Sequence, residues 1–148
     1  MIATDSFRIV LPGDWELVDL GPPAVAHGPR GEEVMISASH LSGFSAEAAE
    51  LRVAVAGLLV NLERAIRNAA AHPELRDVIP LTTATLSNGD TLLHMTSQSL
   101  DGAIVFAQFG LLHQFHALLA TIESPQAAAE STEVLRQALT KTSWLRPH

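Results

Sequence analysis

Seven histidines are the side chains of this sequence best suited to bind a metal or move a proton near neutral pH. His113 and His116 form an HxxH pair, and His94 lies upstream. If Asp101-Gly102 is a two-residue hairpin turn, Gln98 faces Val105, Thr96 faces Ala107 and His94 faces Phe109. His94 and His116 then share a sheet face two strands apart, roughly 10 Å at the backbone, while His113 falls in a turn. A zinc ion wants three or four ligands at about 2.0–2.1 Å, and no carboxylate is placed to complete the set. These histidines read as half-buried structural groups, as do His27 and His40 beside the first hairpin. No metal or cofactor is expected.

Other chemistry is equally sparse. Glu32-Glu33 occupies a turn and points two ways if extended, and Asp14 and Glu16 flank Trp15 as solvated turn residues. Neither pair is placed for general acid–base work, which needs a shared cleft. Ser42-Gly43-Phe44-Ser45 superficially resembles a nucleophile loop but reads better as the entry to a helix. The GxSxG elbow, the GxGxxG fingerprint and a Gly-rich loop ending in Lys-Ser/Thr are all absent. With no cysteine there is no disulfide, thiolate metal site or thiol nucleophile.

The elements that would position such groups are easier to read. The stretch from Ala46 to Ala71 carries Leu51, Val55, Leu58, Leu59, Leu62 and Ile66 at helical spacing. Ser45 is its expected N-cap, Glu47 and Glu50 suit its start, Arg64 and Arg67 suit its end, and His72-Pro73 stops it. Upstream, Phe7–Leu11 alternates as a strand and Pro12-Gly13 turns the chain. Trp15–Leu20 is extended, and Ala24–His27 with Val34–His40 forms a hairpin. Downstream, Val78–Ser87, Asp90–Leu100, Ala103–Leu112 and Phe115–Glu123 form an antiparallel meander. Asn88-Gly89 and Asp101-Gly102 sit at two of its tips, and His113-Gln114 is a weaker third turn. Ser124-Pro125 has the chemistry of an N-cap and first helical residue, so a last helix is predicted from there to about Lys141. The tail SWLRPH is expected to dock Trp144 and Leu145.

The deduced register makes both faces of the meander apolar. Leu92, Val105, Ala107, Phe109 and Leu111 share one face; Leu93, Met95, Ile104, Phe106 and Leu112 share the other. Both need covering, and two helices are available. The expected fold is α+β: one domain over residues 1–148, with an antiparallel sheet of six or seven strands covered by helices on both faces, an α/β/α sandwich.

At 148 residues and 47% hydrophobic, the chain has material for a core. Its charge of −7 arises from sixteen carboxylates against nine basic residues and lacks any cationic cluster. Nonspecific nucleic-acid binding and docking on an anionic membrane are therefore not expected. The run from Val53 to Val60 is too short to cross a bilayer. The N-terminus lacks the basic and apolar regions of a signal peptide, so a cytoplasmic location is expected.

The opening FRIVLPGDW, the long helix, the tightly turned meander and the strand ending ATIESP together resemble the PsbP-like fold family. That family is similar across the Ran-binding Mog protein, the photosystem PsbP subunit, DcrB-like bacterial proteins and effector-associated chaperones of type VI secretion. The resemblance implies the sandwich architecture and no shared catalytic set. It favours a non-enzymatic binding module, a chaperone or adaptor holding an apolar segment of a partner protein, with a link to bacterial secretion. A homodimer is left open. Val53, Ala56, Gly57 and Val60 form a second apolar strip on the long helix, and Val53, Gly57 and Val60 are the candidate partner-binding residues. The alternatives are a small enzyme whose site no motif reveals, or an acidic immunity-type inhibitor.

Overall fold

A computed structural model of the chain describes residues 2–3, 7–21, 23–40, 57, 59–68, 74–113 and 116–144. Two antiparallel sheets carry the architecture. The smaller joins β1 (Ile2–Ala3), β2 (Phe7–Ile9) and β10 (Ser143–Trp144), with β2 in the middle. The larger has seven strands: β3 (Glu16–Asp19), β4 (Ala24–His27), β5 (Glu33–His40), β6 (Leu75–Thr85), β7 (Thr91–Ser99), β8 (Ile104–His113) and β9 (His116–Pro125). Their spatial order is β3-β4-β5-β9-β8-β7-β6, so the meander of β6 to β9 meets the first hairpin through β5 and β9.

The turns explain the meander. Gly89 and Gly102 take φ of 92° and 75°, values that side chains with a Cβ resist. At the second tip Asp101 accepts from the Ser99 hydroxyl at 2.6 Å and from the Ala103 N–H at 3.0 Å. Those bonds hold its pKa below the ordinary carboxylate value, the Ser99 bond contributing most. The resulting ladder pairs Gln98 with Val105, Thr96 with Ala107 and His94 with Phe109, the register expected from the turn alone.

Period-two alternation then sorts the apolar side chains. Leu92, Ala107, Phe109, Leu111, Leu118, Ala120 and Ile122 join Val34, Ile36 and the small-sheet residues Phe7 and Ile9 in the main core. Helix α2 (Ser131–Thr140) closes that core with Leu135, Ala138 and Leu139. Trp15 and Trp144 pack against it, partly buried. The opposite alternation places Leu93 and Met95 in a second cluster with Leu62 and Ile66 of helix α1 (residues 59–68). α1 sits close to the sheet because Gly110 lies beneath it: a Cβ there would meet Leu62 Cδ2 at 2.6 Å.

Several expectations shift. Ser124 and Pro125 do not open a helix; they extend β9, pairing with Val105 and Ile104. Pro125 has φ −58° and ψ 150°, compatible with an extended strand, and a 3-10 turn (Gln126–Ala128) intervenes before α2. Strand pairing with β8 outcompetes the local capping signal. His113 is the last residue of β8, not a turn residue. β2 belongs to a separate small sheet, which β1 and β10 complete. Residues 46–56 of the predicted long helix, with Ser45, Glu47 and Glu50, lie outside the described residues, as do residues 58 and 69–71 and Leu145.

Candidate functional site

An opening on the main-core face lies beside α2, toward the β6 edge of the sheet. α2 packs over β8 and β9, so the flank formed by β6 and β7 is left beside it. A groove of about 310 Å³ results, within the size range of small-molecule or side-chain pockets. Val78 and Ile79 form its outer wall, Val105 lies at its floor, and Ala129 closes the helix side. Val78 and Ile79 are 51% and 42% exposed, unusual for apolar residues of a strand.

Polar groups in the groove are few and uncharged or already engaged. The His94 ring stacks on Phe109 at 4.6 Å and 7°, and its Nε2 lies 2.8 Å from Thr96 Oγ1. Burial lowers the His94 pKa, nearby Arg136 lowers it further, and Glu133 partly opposes them. The neutral ring is therefore the favoured form. Gln98 donates to Gln126 at 3.0 Å and accepts from Arg76 at 3.0 Å, which builds a polar rim. Glu133 accepts from Arg136 at 3.2 Å and Gln137 at 3.0 Å. The Thr132 hydroxyl is buried at the groove without a hydrogen-bond partner among the described residues. An apolar wall with one open hydroxyl can hold and orient a ligand.

A second constellation lies at one end of the sheet. Asp90 is buried, and its Oδ1 is 2.6 Å from His113 Nδ1. Asn88 Nδ2 donates to Asp90 Oδ2 at 3.1 Å, and Asp90 N–H donates to Asn88 Oδ1 at 3.0 Å. Trp144 stacks on His113 at 5.2 Å and on His116 at 5.4 Å. With Nδ1 turned to Asp90, the His113 Nε2 is the ring nitrogen that Asp90 does not engage. Among the described residues no hydroxyl bonds to it, so the dyad lacks the third member of a hydrolytic set.

The sequence-derived candidates lie elsewhere. Gly57 is exposed with nothing within 4 Å of a built Cβ, and Val60 is 52% exposed on α1. Val53 lies outside the described residues. Neither Gly57 nor Val60 lines the groove. Glu32 and Glu33 do point opposite ways, one buried and one exposed. Among the described residues no cluster of three or more His, Asp or Glu side chains could hold a metal ion. None of their helices is long and apolar enough to cross a membrane. Val78, Ile79 and Thr132 were missed as site residues because nothing local says where α2 crosses the sheet. The Asp90–His113 pair was within reach: continuing the β7–β8 register past Thr91 and Leu112 sets these two opposite each other.

The solution structure of the cyanobacterial PsbP protein CyanoP from Synechocystis sp. PCC 6803 aligns with 97% of this chain and 95% of its own, at a TM-score of 0.53 and 8% identity. The fold is PsbP-like. A second match is the crystal structure of LpqN, involved in cell envelope biogenesis of Mycobacterium tuberculosis. It has a TM-score of 0.51, 16% identity, and coverage of 95% of this chain and 83% of that one. At these identities the likeness concerns the fold alone. No protein-family model and no curated protein matches the sequence. The groove's chemistry rests on this chain's own residues.

Proposed function

We propose that the protein is a non-enzymatic binding module, a chaperone or adaptor that holds an apolar segment of a partner protein in the groove between β6 and α2. The observation that carries this reading is the groove itself, with Val78 and Ile79 exposed along an open apolar wall and the Thr132 hydroxyl left for a ligand. A binding role needs burial and orientation, and these residues supply both. The exposed Gly57 and Val60 on α1 support a second contact patch. The clustering of Leu62 and Ile66 with Leu93 and Met95 supports a two-sided sandwich that would hold both surfaces rigid. A cytoplasmic setting and a link to bacterial secretion belong to the same proposal, on the strength of the sequence resemblance.

The test is a photo-crosslinking amino acid placed at Gln126 in the native host. We expect adducts with one or a few proteins, lost when Ala129→Trp fills the groove while the fold is kept. Adducts that persist unchanged in the filled variant, or adducts with small molecules alone, would sink the reading.

The pair of buried Asp90 and half-buried His113 favours a second reading, a small acid–base enzyme. His113→Gln tested on a panel of activated esters separates the two. A turnover in the parent protein that this substitution abolishes would move the function to that end of the sheet.

A further inference from the structure

Among the described residues the seven-stranded sheet ends on β3 at one side and β6 at the other, and the two edges differ in chemistry. β3 has only four residues, and two of them, Glu16 and Asp19, are acidic. Natural edges carry such charges to discourage pairing. Between Asp77 and Asp90, by contrast, the chain has no ionisable side chain. β6 guards its first half in other ways: Pro80 lies there, and the register with β7 is irregular between Asp77 and Thr82. From Thr82 to Thr85 these devices stop. The ladder is regular there, Thr82, Thr83, Ala84 and Thr85 are all exposed, and three of the four are β-branched threonines.

The direction of the backbone groups follows from the turn. Leu86 N–H donates to Asp90 C=O at 2.8 Å, and Ala84 faces Leu92 and Thr82 faces His94 at successive two-residue steps. Those are the positions that exchange hydrogen bonds with β7. Thr83 and Thr85 consequently turn their N–H and C=O groups away from β7, off the end of the sheet.

We infer that two copies of this chain associate through this edge, Thr83–Thr85 of one copy pairing antiparallel with the same segment of the other. The occupant is a second copy because the segment is complementary to itself. A two-fold pairing sets Thr83 opposite the second copy's Thr85, each such pair exchanging both backbone bonds, and Thr–Thr neighbours are favourable across a ladder. Charge points the same way. Each copy carries −7, so two copies repel except where they meet over a neutral surface. The Thr82–Thr85 edge is such a surface, and Glu16 and Asp19 bar β3. The short regular segment makes the association reversible and weak. This inference stands apart from the groove reading, because the paired segment lies beyond Val78 and Ile79.

The experiment combines sedimentation velocity with amide hydrogen exchange on the full chain over a roughly hundredfold concentration range. We expect the sedimentation coefficient to rise with concentration. The Thr83 and Thr85 amides should slow by about tenfold or more as it does, while those of Thr82 and Ala84 stay unchanged. Thr83→Pro removes an outward donor without touching a bond to β7, and Thr85→Glu adds charge at the same edge. Either variant, folded by circular dichroism, should remain monomeric. A wild type that is monomeric throughout overturns the inference. So does a dimer that survives in both variants, and so does protection of Thr83 and Thr85 that appears only when cell extract is added, which would assign the edge to another protein's strand.

Discussion

Ser131 and Glu32 are 99 positions apart in the chain, yet the Ser131 hydroxyl donates to Glu32 Oε2 at 2.9 Å. The other oxygen, Oε1, accepts from the Arg30 N–H at 2.7 Å. Arg30 also pairs with Glu130, the residue before α2 begins. A carboxylate that is only 2% exposed thereby fastens the β4–β5 turn to the start of the helix that borders the groove. Burial of such a group is tolerable because both oxygens are bonded.

Ser131→Ala should therefore destabilise the protein by about 1–3 kcal/mol, because it leaves one buried carboxylate oxygen without its donor. Urea unfolding of the single variant and of its combination with Glu32→Gln would check it. The double variant should lose much less than the two single losses added together.

Gln108 presents the opposite case. It is completely buried, and neither of its amide atoms has a partner among the described residues. Gln108→Met keeps the volume and removes the unpaired groups. We expect a gain of about 1–3 kcal/mol in thermal or denaturant unfolding. A loss of similar size would mean that the amide is engaged.

Gly89→Val places a β-branched residue at φ 92°. A loss of about 1–2 kcal/mol is expected. Gly13, with open space around it and no positive φ among those of the chain's glycines, is the control, and Gly13→Ala should stay within about 0.5 kcal/mol.

His94 makes stability depend on pH. Its folded pKa lies below the ordinary histidine value of about 6.5, through burial first and then Arg136, with Glu133 opposing. Between the folded and unfolded values the unfolded chain binds more protons, so stability rises with pH there. The contribution is fully present above pH 6.5 and is lost as pH falls through the lower folded value. Midpoints of urea unfolding measured from pH 8 to pH 5 should fall more steeply for the parent than for His94→Gln. Parallel curves would refute the assignment.

Val60→Asp should leave the fold within about 0.5 kcal/mol of the parent, since the side chain is 52% exposed. If α1 contributes a contact patch, the same variant should reduce crosslinked partner in the capture assay. Unfolding would show instead that Val60 belongs to the core.

What the sequence reveals here depends on how local the physics is. The β7–β8 register follows from one turn, Asp101-Gly102, and from alternation that any reader can count. The start of α2 does not, because Ser124-Pro125 is a capping signal that β8 overrules through pairing with Val105 and Ile104. β1 and β10 have two residues each, too few for a period, and exist only because β2 lies between them. The groove depends on where α2 comes to rest across the sheet, a packing outcome with no local signature. His94 draws notice in the sequence as a histidine near an HxxH pair, whereas its neighbours in the fold, Phe109 and Thr96, follow from the sheet register.

The small sheet has a topological consequence. Ala3 and Ser143 both face Arg8, one from each side of β2. Two strand spacings therefore separate the two ends of the fold, about 10 Å. A linker of a few residues could join them, turning the chain into a closed ring that can be reopened at Ser87–Gly89 without cutting a strand. Such a circular permutant would place its new ends beside β6, at the far margin of the large sheet. There a reporter could be attached a few residues from the Thr82–Thr85 edge.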